Sequence, residues 1–454
     1  MKEERIWPRP QIIPLPRQTM EIERPVRSLN EAAWKICRNP GADFWREEAE
    51  DVLWEDTVIP MQQSASSEYA YACDLEIPEE WAAGRIFLRF DGVNCLTRVF
   101  VDGNAAGEHY GGFVSWDCEI TQFAASGGRH RLVLGVRDDP GGICPFHFGG
   151  IIRDVSLAVL PMTYLGRLHG DVSFDEAYMD AELTVHAALR GGNGLLSLSL
   201  CPPQGEEFLL GEEELKEGQE FSASYPIKAP VKWDSEHPNL YTLTARVMKD
   251  GACTEIACRR IGFRQIRREG SQVYLNGDLL KLRGINRHDI HPVTGRAITH
   301  ELVEKDVRLF KEANINFIRT SHYPPRPDFL DLCDEYGIYV EDETAVAFLG
   351  QEIDCRENDP EFTGKFMNQF AELLERDRSH PSVILWSLAN ESFWGRNLAM
   401  ENAYAHQEDP GRLTIFSYPI TQREEDDRAD IWSMHYAAWE QDPAALVDLS
   451  LIHI

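Results

Sequence analysis

The stretch Ser382-Val-Ile-Leu-Trp-Ser-Leu388, followed at once by Ala389-Asn390-Glu391, is the most informative part of the chain for its fold. It is a short apolar run in which hydrophobic residues do not alternate strictly with polar ones. Such a run is typical of a strand that is buried on both faces of a parallel sheet. Polar residues begin where the strand would end, so the stretch predicts a parallel α/β sheet with reactive groups at its carboxyl edge.

Similar strands alternate with helical patterns on both sides of this stretch. Counting from Leu282, we predict six strands, at 282–286, 316–320, 337–342, 382–388, 413–416 and 430–434, with helices at 299–313, 327–336 and 361–376. Repeated βα units without a Gly-rich phosphate turn favour a (β/α)8 TIM barrel over a Rossmann sheet. A complete barrel takes ~250 residues. We therefore expect residues 266–454 to form a barrel that is truncated after about six strands.

The chain upstream of the barrel is rich in short alternating strands and glycine turns, which predicts β-sandwiches. We expect residues 46–161 to form a jelly roll and residues 162–265 an immunoglobulin-like sandwich, in which Gly191-Gly192-Asn193-Gly194 is a turn. Residues 1–45 carry several prolines and one short helical pattern around 31–37, so they predict an N-terminal arm that wraps a neighbouring domain. The predicted fold class is therefore multidomain, with an all-β jelly roll, an immunoglobulin-like sandwich and an incomplete TIM barrel.

The composition excludes several classes of partner. Lys and Arg number 45 and Asp and Glu 75, so the formal net charge is −30, which counts against nucleic acid and against an anionic membrane surface. Hydrophobic residues at 43% and charged residues at 26% are ordinary for a globular protein. No apolar run approaches the ~20 residues of a membrane helix, and we see no signal peptide, so we expect a cytoplasmic location. Ten cysteines scattered singly agree with a reducing compartment.

Polar clusters follow five of the predicted barrel strands, and their residue types indicate a chemistry. The clusters hold carboxylates, an amide, Arg, His and Tyr, with aromatic residues nearby, and we find no nucleophile elbow, Walker loop or HExxH motif. Glycosyl transfer to water needs one carboxylic acid to protonate the leaving oxygen and one carboxylate to attack or to activate water. The pattern therefore predicts a site that acts on a hydroxyl-rich glycoside.

Several strings resemble glycoside hydrolase family 2, the β-galactosidase and β-glucuronidase group. The segment His380-Pro-Ser-Val-Ile-Leu-Trp-Ser-Leu-Ala-Asn-Glu-Ser392 is similar to the acid/base signature of that family, and further matches are found in Arg283-Gly-Ile-Asn-Arg-His288, Arg319-Thr-Ser-His-Tyr-Pro324, Leu332-Cys-Asp-Glu-Tyr-Gly-Ile-Tyr-Val340, Gly111-Gly-Phe113 and Gly149-Gly-Ile-Ile-Arg-Asp-Val155. The resemblance implies an exo-acting β-glycosidase that works with retention of configuration.

The resemblance also implies roles for individual residues. Glu391 would be the general acid/base, and Asn390 would bond the sugar 2-OH, where the alternative is a capping amide. His322 would contact sugar hydroxyls, Tyr436 would tune the nucleophile, and Trp394 could stack on sugar. For each of the three, a purely structural role is the alternative. Arg287 and Asn286 would shape the pocket floor, although a purely structural part is as compatible with their sequence context.

The family nucleophile is a Glu at the end of the seventh barrel strand, which we expect to lie beyond the end of this chain. Within the chain, Glu343 is the best candidate to replace that nucleophile. It is a poor candidate, because the resemblance implies that its position lines the pocket. The metal-binding Glu and His of the galactosidase pattern are matched by Ala347 and Leu349, so we predict no metal and no other cofactor.

The sequence does not decide which sugar the site binds. A β-linked galactoside is the first choice of substrate, with glucuronide and mannoside as alternatives. A non-catalytic carbohydrate-binding or scaffold protein, or a transglycosylase, is the competing interpretation. Family members are often oligomers, which leaves a homo-oligomer open.

Overall fold

The computed structural model of the chain describes residues 5–15, 26–46, 52–64, 68–81, 83–124, 126–144, 146–350, 355–417 and 429–433. Twelve strands in its first part form a sandwich of a four-stranded sheet, ordered β1-β12-β5-β9, and a six-stranded sheet, ordered β3-β2-β4-β10-β7-β8, with β6 and β11 as a separate pair. The strands are β1 (Val26–Ser28), β2 (Lys35–Arg38), β3 (Glu55–Asp56), β4 (Tyr69–Ile77), β5 (Arg85–Phe90), β6 (Val93–Asn94), β7 (Leu96–Val101), β8 (Asn104–Tyr110), β9 (Trp116–Glu119), β10 (Gly128–Arg137), β11 (Gly150–Ile151) and β12 (Val155–Leu160). A short helix, α1 (Thr121–Ala124), and a 3-10 turn at Glu79–Trp81 interrupt the strands.

The helical pattern around 31–37 is a wrong prediction. Lys35–Arg38 pairs antiparallel with Tyr69 to Ala72 of β4, and Ile36 and Cys37 are buried in the sandwich. Val26–Ser28 likewise pairs with β12. Part of the expected arm is therefore built into the jelly-roll sheets, because sheet pairing with distant residues overrides a weak local helical pattern.

A second sandwich follows, with a three-stranded sheet ordered β13-β14-β17 against a four-stranded sheet ordered β16-β15-β18-β19. Its strands are β13 (Tyr164–Phe174), β14 (Ala181–Arg190), β15 (Gly194–Cys201), β16 (Phe208–Leu215), β17 (Glu220–Ile227), β18 (Tyr241–Lys249) and β19 (Ala252–Ile261). Gly191 sits in the predicted turn between β14 and β15 with a φ of 75°, and a Cβ there would lie 1.9 Å from the Met162 carbonyl oxygen. Only glycine fits that turn.

A small hairpin sheet of β20 (Ile266–Glu269), β21 (Gln272–Leu275) and β22 (Asp278–Leu279) leads into six parallel strands in sequential order. These are β23 (Gly284–Arg287), β24 (Phe317–Thr320), β25 (Tyr339–Glu343), β26 (Val383–Asn390), β27 (Leu413–Ser417) and β28 (Ile431–Trp432). The helices between them are α2 (His300–Glu312), α3 (Pro327–Tyr336), α4 (Thr363–Asp377), which is preceded by a 3-10 turn at Pro360–Phe362, and α5 (Arg396–Glu408). The predicted fold class is confirmed as a jelly roll, an immunoglobulin-like sandwich and a TIM-barrel sheet, of which six strands lie within the described residues.

The inner face of the barrel sheet is layered. Side chains in the lower layer are apolar and buried, namely Phe317, Tyr339, Leu385 and Ile415. The next inner-face position of each strand, towards the carboxyl ends, is polar, with Arg319, Glu341, Ser387 and Ser417. Glu343 follows Glu341 on the same face of β25. The outer face packs apolar residues such as Ile318, Val340 and Phe416 against the helices.

The jelly roll is joined to the barrel by a buried arginine. Arg153 donates hydrogen bonds to the carbonyl oxygens of Phe113 and Pro324 and, at 3.2 Å, to Asp289 Oδ2. The loops that follow β23 and β24 are thereby tied to the first domain. In the described part of the chain, no helix is both long enough and apolar enough to span a bilayer.

Candidate active site

The polar layer at the carboxyl ends of β24, β25 and β26 is centred on Arg319. Its guanidinium is buried and donates from Nε and Nη2 to Glu343 Oε2 at 2.8 and 2.7 Å. Nη2 also donates to Asn390 Oδ1 at 2.9 Å, and Nε lies 3.2 Å from Glu341 Oε1. One cation on β24 therefore binds groups on two neighbouring strands. We call Arg319, Glu341, Glu343, His322 and Asn390 the strand-end cluster.

Glu343 is the most strongly hydrogen-bonded carboxylate of the cluster. It is completely buried, and besides Arg319 it accepts from the Ser387 hydroxyl at 2.6 Å and from His322 Nδ1 at 2.7 Å. Burial alone would raise the pKa of Glu343, but the charge of Arg319 and the hydrogen bonds from His322 and Ser387 outweigh it and lower the pKa to about 2. Glu343 is therefore ionised throughout the physiological range.

Arg319 is held charged by its neighbours. Burial would lower its pKa, yet the negative charges of Glu343, Glu341 and, more weakly, Glu391 raise it. The contribution of Glu391 is the smallest of the three and indicates only that its carboxyl group lies within electrostatic range of Arg319.

His322 follows β24 and lies between the rest of the strand-end cluster and a group of aromatic rings. Because its Nδ1 donates to Glu343, its Nε2 is the atom left to bond a ligand in the neutral ring. The rings of Phe146, Phe348 and His288 lie 6.4, 6.2 and 5.4 Å from the His322 ring. Phe146 belongs to the jelly roll, so the first domain contributes to the wall beside His322.

His288 is a neutral histidine in this setting. Burial, together with the electrostatic effect of its neighbours His322 and Arg296, lowers its pKa to about 4. Its Nδ1 lies 3.2 Å from the Tyr323 hydroxyl.

Asn390 and Glu391 end strand β26. Asn390 is completely buried, and its Nδ2 has no acceptor among the described residues, while its Oδ1 is bound by Arg319. Glu391 is half-buried, and its backbone N–H donates to the Ser417 carbonyl oxygen at 2.8 Å. Its φ of 41° is a left-handed conformation, which costs a non-glycine residue of order 1–3 kcal/mol. Strain of this kind concentrates at functional sites.

The other predicted site residues lie in different places. Asn286 is exposed on the inner face of the edge strand β23, in register with Arg319. Trp394 is half-buried and packs edge-to-face on Phe416 at 5.4 Å, which gives it a place in the outer core. Tyr436 lies outside the described residues.

Arg287 is turned to the outer face of the sheet. It pairs with Asp289 and, at 3.0 Å, with Asp306 of α2, and its guanidinium lies over the Phe329 ring at 4.6 Å. The sequence leaves two roles open for Arg287, in the pocket floor or in the structure alone, and these contacts favour the structural role. We therefore place Arg287 outside the strand-end cluster.

Two members of the cluster were not among the predicted site residues, namely Arg319 and Glu341. A signal for them exists in the sequence. Glu341 and Glu343 stand two residues apart in a strand and so share a face, and Arg319 is the charged residue at the end of the preceding strand. Sequence alone does not give the register that brings these strands together.

One group in the described part of the chain has metal-ligating side chains close together, namely Asp331, Asp334 and His380. Its central carboxylate is already engaged, because Asp334 binds His380 Nδ1 at 2.6 Å and the Ser382 N–H at 2.9 Å. At the positions that match the metal ligands of the galactosidase pattern, Ala347 and Leu349 are buried and carry no ligand atom. We assign no metal to the strand-end cluster.

A TIM-barrel sheet whose strands end in a carboxylate, an amide and a histidine has the groups that a glycoside hydrolase needs. The family comparisons make this specific. Residues 266–449 match the model of the glycosyl hydrolases family 2 TIM barrel domain, residues 163–264 the model named glycosyl hydrolases family 2, and residues 53–161 the sugar binding domain of that family. The chain belongs to glycoside hydrolase family 2.

Individual relatives agree with this assignment. A beta-galactosidase of Priestia megaterium is 31% identical over 381 residues, which are 79% of this chain and 37% of the relative. A beta-galactosidase of Aeromonas hydrophila is 30% identical over 360 residues, which are 75% of this chain and 35% of the relative. The apo structure of Bacteroides uniformis beta-glucuronidase 3 superposes with a TM-score of 0.80 at 25% identity, covering 94% of this chain and 59% of that one. The matched segments span 33 to 42% of the length of the curated relatives.

Proposed function

We propose that the protein is an exo-acting retaining β-glycoside hydrolase, with a β-galactoside as the first choice of substrate and Glu391 as the general acid/base. The observation that carries this proposal is the position of Glu391. It follows Asn390 at the end of β26, and its charge acts on Arg319, the arginine that binds both Asn390 and Glu343. A carboxyl group in that place is next to hydrogen-bonding groups suited to a sugar.

In the first step, Glu391 protonates the departing glycosidic oxygen while a carboxylate attacks the anomeric carbon. In the second step, Glu391 removes a proton from water, which releases the sugar from its covalent link to the enzyme. One residue serves as acid and then as base because the first step leaves it ionised.

Asn390 and His322 position the sugar in this proposal. Arg319 holds the carbonyl oxygen of the Asn390 amide, so the two N–H donors of that amide remain for the 2-OH of the sugar. A bond to the 2-OH strengthens in the transition state and so raises the rate. The Nε2 atom of His322 and the exposed side chain of Asn286 would meet further hydroxyls.

The attacking carboxylate is a separate question. The carboxylate oxygens of Glu343 already accept from Arg319, His322 and Ser387, so they are not available to attack an anomeric carbon. We propose that the nucleophile is a Glu that follows a later barrel strand, about 5–5.5 Å from the carboxyl group of Glu391, as retention of configuration requires. The predicted contact of Tyr436 with that nucleophile stays a prediction.

A β-glucuronide is the second candidate substrate, because the structural neighbour named above is a beta-glucuronidase while the curated relatives named above are beta-galactosidases. The two are separated by assaying a chain extended to the length of those relatives on 4-nitrophenyl β-galactoside, β-glucuronide and β-mannoside. Hydrolysis of the galactoside at the highest kcat/KM supports the first choice. Binding of glycosides without hydrolysis of any of them would support the carbohydrate-binding alternative instead.

The test of the mechanism is Glu391→Gln in the same extended chain. We expect kcat to fall roughly 10²–10⁴-fold on an alkyl glycoside, whose leaving group needs protonation, and far less in the first step on an aryl glycoside with a good leaving group. The matched control is Glu361→Gln, which also removes one negative charge but from an exposed position before α4. Equal losses on both substrates would contradict the acid role of Glu391.

A further inference from the structure

Glu341 is a buried carboxyl group that the steps above do not use. It lies on the inner face of β25, two residues before Glu343, and is completely buried. Neither of its oxygens accepts a hydrogen bond from the described residues, although Arg319 Nε is 3.2 Å away. An inner position of this kind in a barrel is normally filled by a branched apolar side chain.

Glu341 and Glu343 compete for the same N–H group. Arg319 Nε donates to Glu343 Oε2 at 2.8 Å and lies 3.2 Å from Glu341 Oε1. The charged groups that act on Glu341 are Arg319 from β24 and Glu343 from its own strand, while the nearest group on β26 is the neutral hydroxyl of Ser387, which donates to Glu343. Two buried carboxylates therefore share one guanidinium.

Such a pair does not ionise twice at low cost. Burial, with the like charge of Glu343, raises the pKa of Glu341 to about 7 against the attraction of Arg319. Glu343, which has the shorter contacts, keeps its charge. Near neutral pH the proton on Glu341 is therefore gained and lost while Glu343 stays ionised.

We propose that Glu341 is a positioning residue whose protonation state sets how firmly Arg319 holds Glu343 and Asn390. Protonated Glu341 leaves the Nε–H of Arg319 to Glu343 and keeps the guanidinium aligned for its Nη2 bond to the Asn390 carbonyl oxygen. Ionised Glu341 draws Nε towards itself and loosens both contacts. The consequence for sugar binding rests on the proposed function, because it requires that Asn390 holds the substrate.

The first test needs no ligand. In the 454-residue chain, we expect the carbon-13 signal of the Glu341 carboxyl group and the nitrogen-15 signal of Arg319 Nε to shift together with pH, with one midpoint within about a unit of 7. Glu341→Gln should abolish the movement of the Arg319 signal, and Glu361→Gln, the exposed control, should leave it unchanged. A static Arg319 signal between pH 5.5 and 8.5, or an unaltered midpoint in Glu341→Gln, overturns the proposal. The titration of the unsubstituted chain is decisive even if the variant does not fold.

The second test measures binding of phenyl β-D-thiogalactoside by calorimetry over the same pH range. We expect Kd to rise at least threefold from pH 6 to pH 8 in the unsubstituted chain and to stay level in Glu341→Gln, whose amide imitates the protonated acid. An equal pH dependence in both chains overturns the inference and leaves the proposed function standing. Absence of binding at every pH counts against the proposed function, while the Arg319 signal still decides whether Glu341 controls Arg319.

Discussion

Replacing Glu343 by Gln tests whether the strand-end cluster is held together as its geometry indicates. The substitution keeps the size of the side chain but removes the charge that Arg319, His322 and Ser387 bind. The pKa of Glu343 is lowered to about 2 from an ordinary 4.5. That difference corresponds to about 3 kcal/mol of stability at pH 7.

The sign of the pH dependence follows from the lowered pKa. An ionised Glu343 stabilises the folded chain fully above pH 4.5, and the stabilisation is lost as the pH falls towards 2. The difference between Glu343→Gln and the unsubstituted chain should therefore shrink from about 3 kcal/mol at pH 7 to about 1 kcal/mol at pH 3.

Differential scanning calorimetry measures the effect, and hydrogen exchange of peptides from β25 and β26 assigns it to the barrel. For a unit the size of the 184-residue barrel match, 3 kcal/mol corresponds to a fall in Tm of roughly 6–12 °C. Glu361→Gln should melt like the unsubstituted chain at both pH values. A Glu343→Gln chain whose melting temperature is unchanged at pH 7, or lowered equally at pH 3 and pH 7, would refute the assignment of Glu343 as a bound, ionised carboxylate.

Three further outcomes are expected. Gly191→Ala should destabilise the second sandwich by about 1–3 kcal/mol, because the new Cβ would meet the Met162 carbonyl oxygen at 1.9 Å; the urea midpoint measures this loss, and Gly41→Ala, where the new Cβ meets nothing within 4 Å, is the control. Arg153→Met should cost about 1–3 kcal/mol, because the buried carbonyl oxygens of Phe113 and Pro324 lose their donor while Asp289 keeps Arg287, and limited proteolysis should then cut between the jelly roll and the barrel sooner. His288, with its pKa lowered to about 4, should show a ring-proton NMR shift that is constant between pH 6 and 8; a titration midpoint above 6 would contradict its buried setting.

The barrel strands could be predicted because their signal is local. The apolar run from Ser382 to Leu388 is long enough for one buried strand, and the observed strand, Val383–Asn390, begins one residue later and ends two residues later. Helix α5 could not be predicted in the same way, because several of the residues that it turns towards the protein core are polar. Asn397 on that helix is completely buried and binds the Thr363 hydroxyl and backbone carbonyls of the loop before α4. A buried polar face removes the periodicity by which a surface helix is recognised.

In the candidate site too, residues with a local sequence signal could be predicted and those that depend on tertiary packing could not. Asn390, Glu391 and His322 could be predicted because they lie in polar strings that follow predicted strands and that resemble the signatures of the family. Arg319 is recognised as the centre only when three strands are placed side by side, since its partners lie 22 to 71 residues away along the chain. Strand register is a property of tertiary packing, so local sequence does not specify it.

The chemical cost of the polar layer is itself an argument about function. A buried ion pair seldom stabilises a protein more than well-packed apolar side chains of similar volume would, because both charges lose their hydration. The layer below shows that this sheet can be filled with apolar residues, as at Phe317 and Leu385. Two carboxylates around a single Arg319, beside a strained Glu391, make a poor way to fill a core and a good way to fix an amide and a histidine beside the proposed general acid. The arrangement is therefore best explained by what it positions, and this supports a catalytic barrel over a purely structural one.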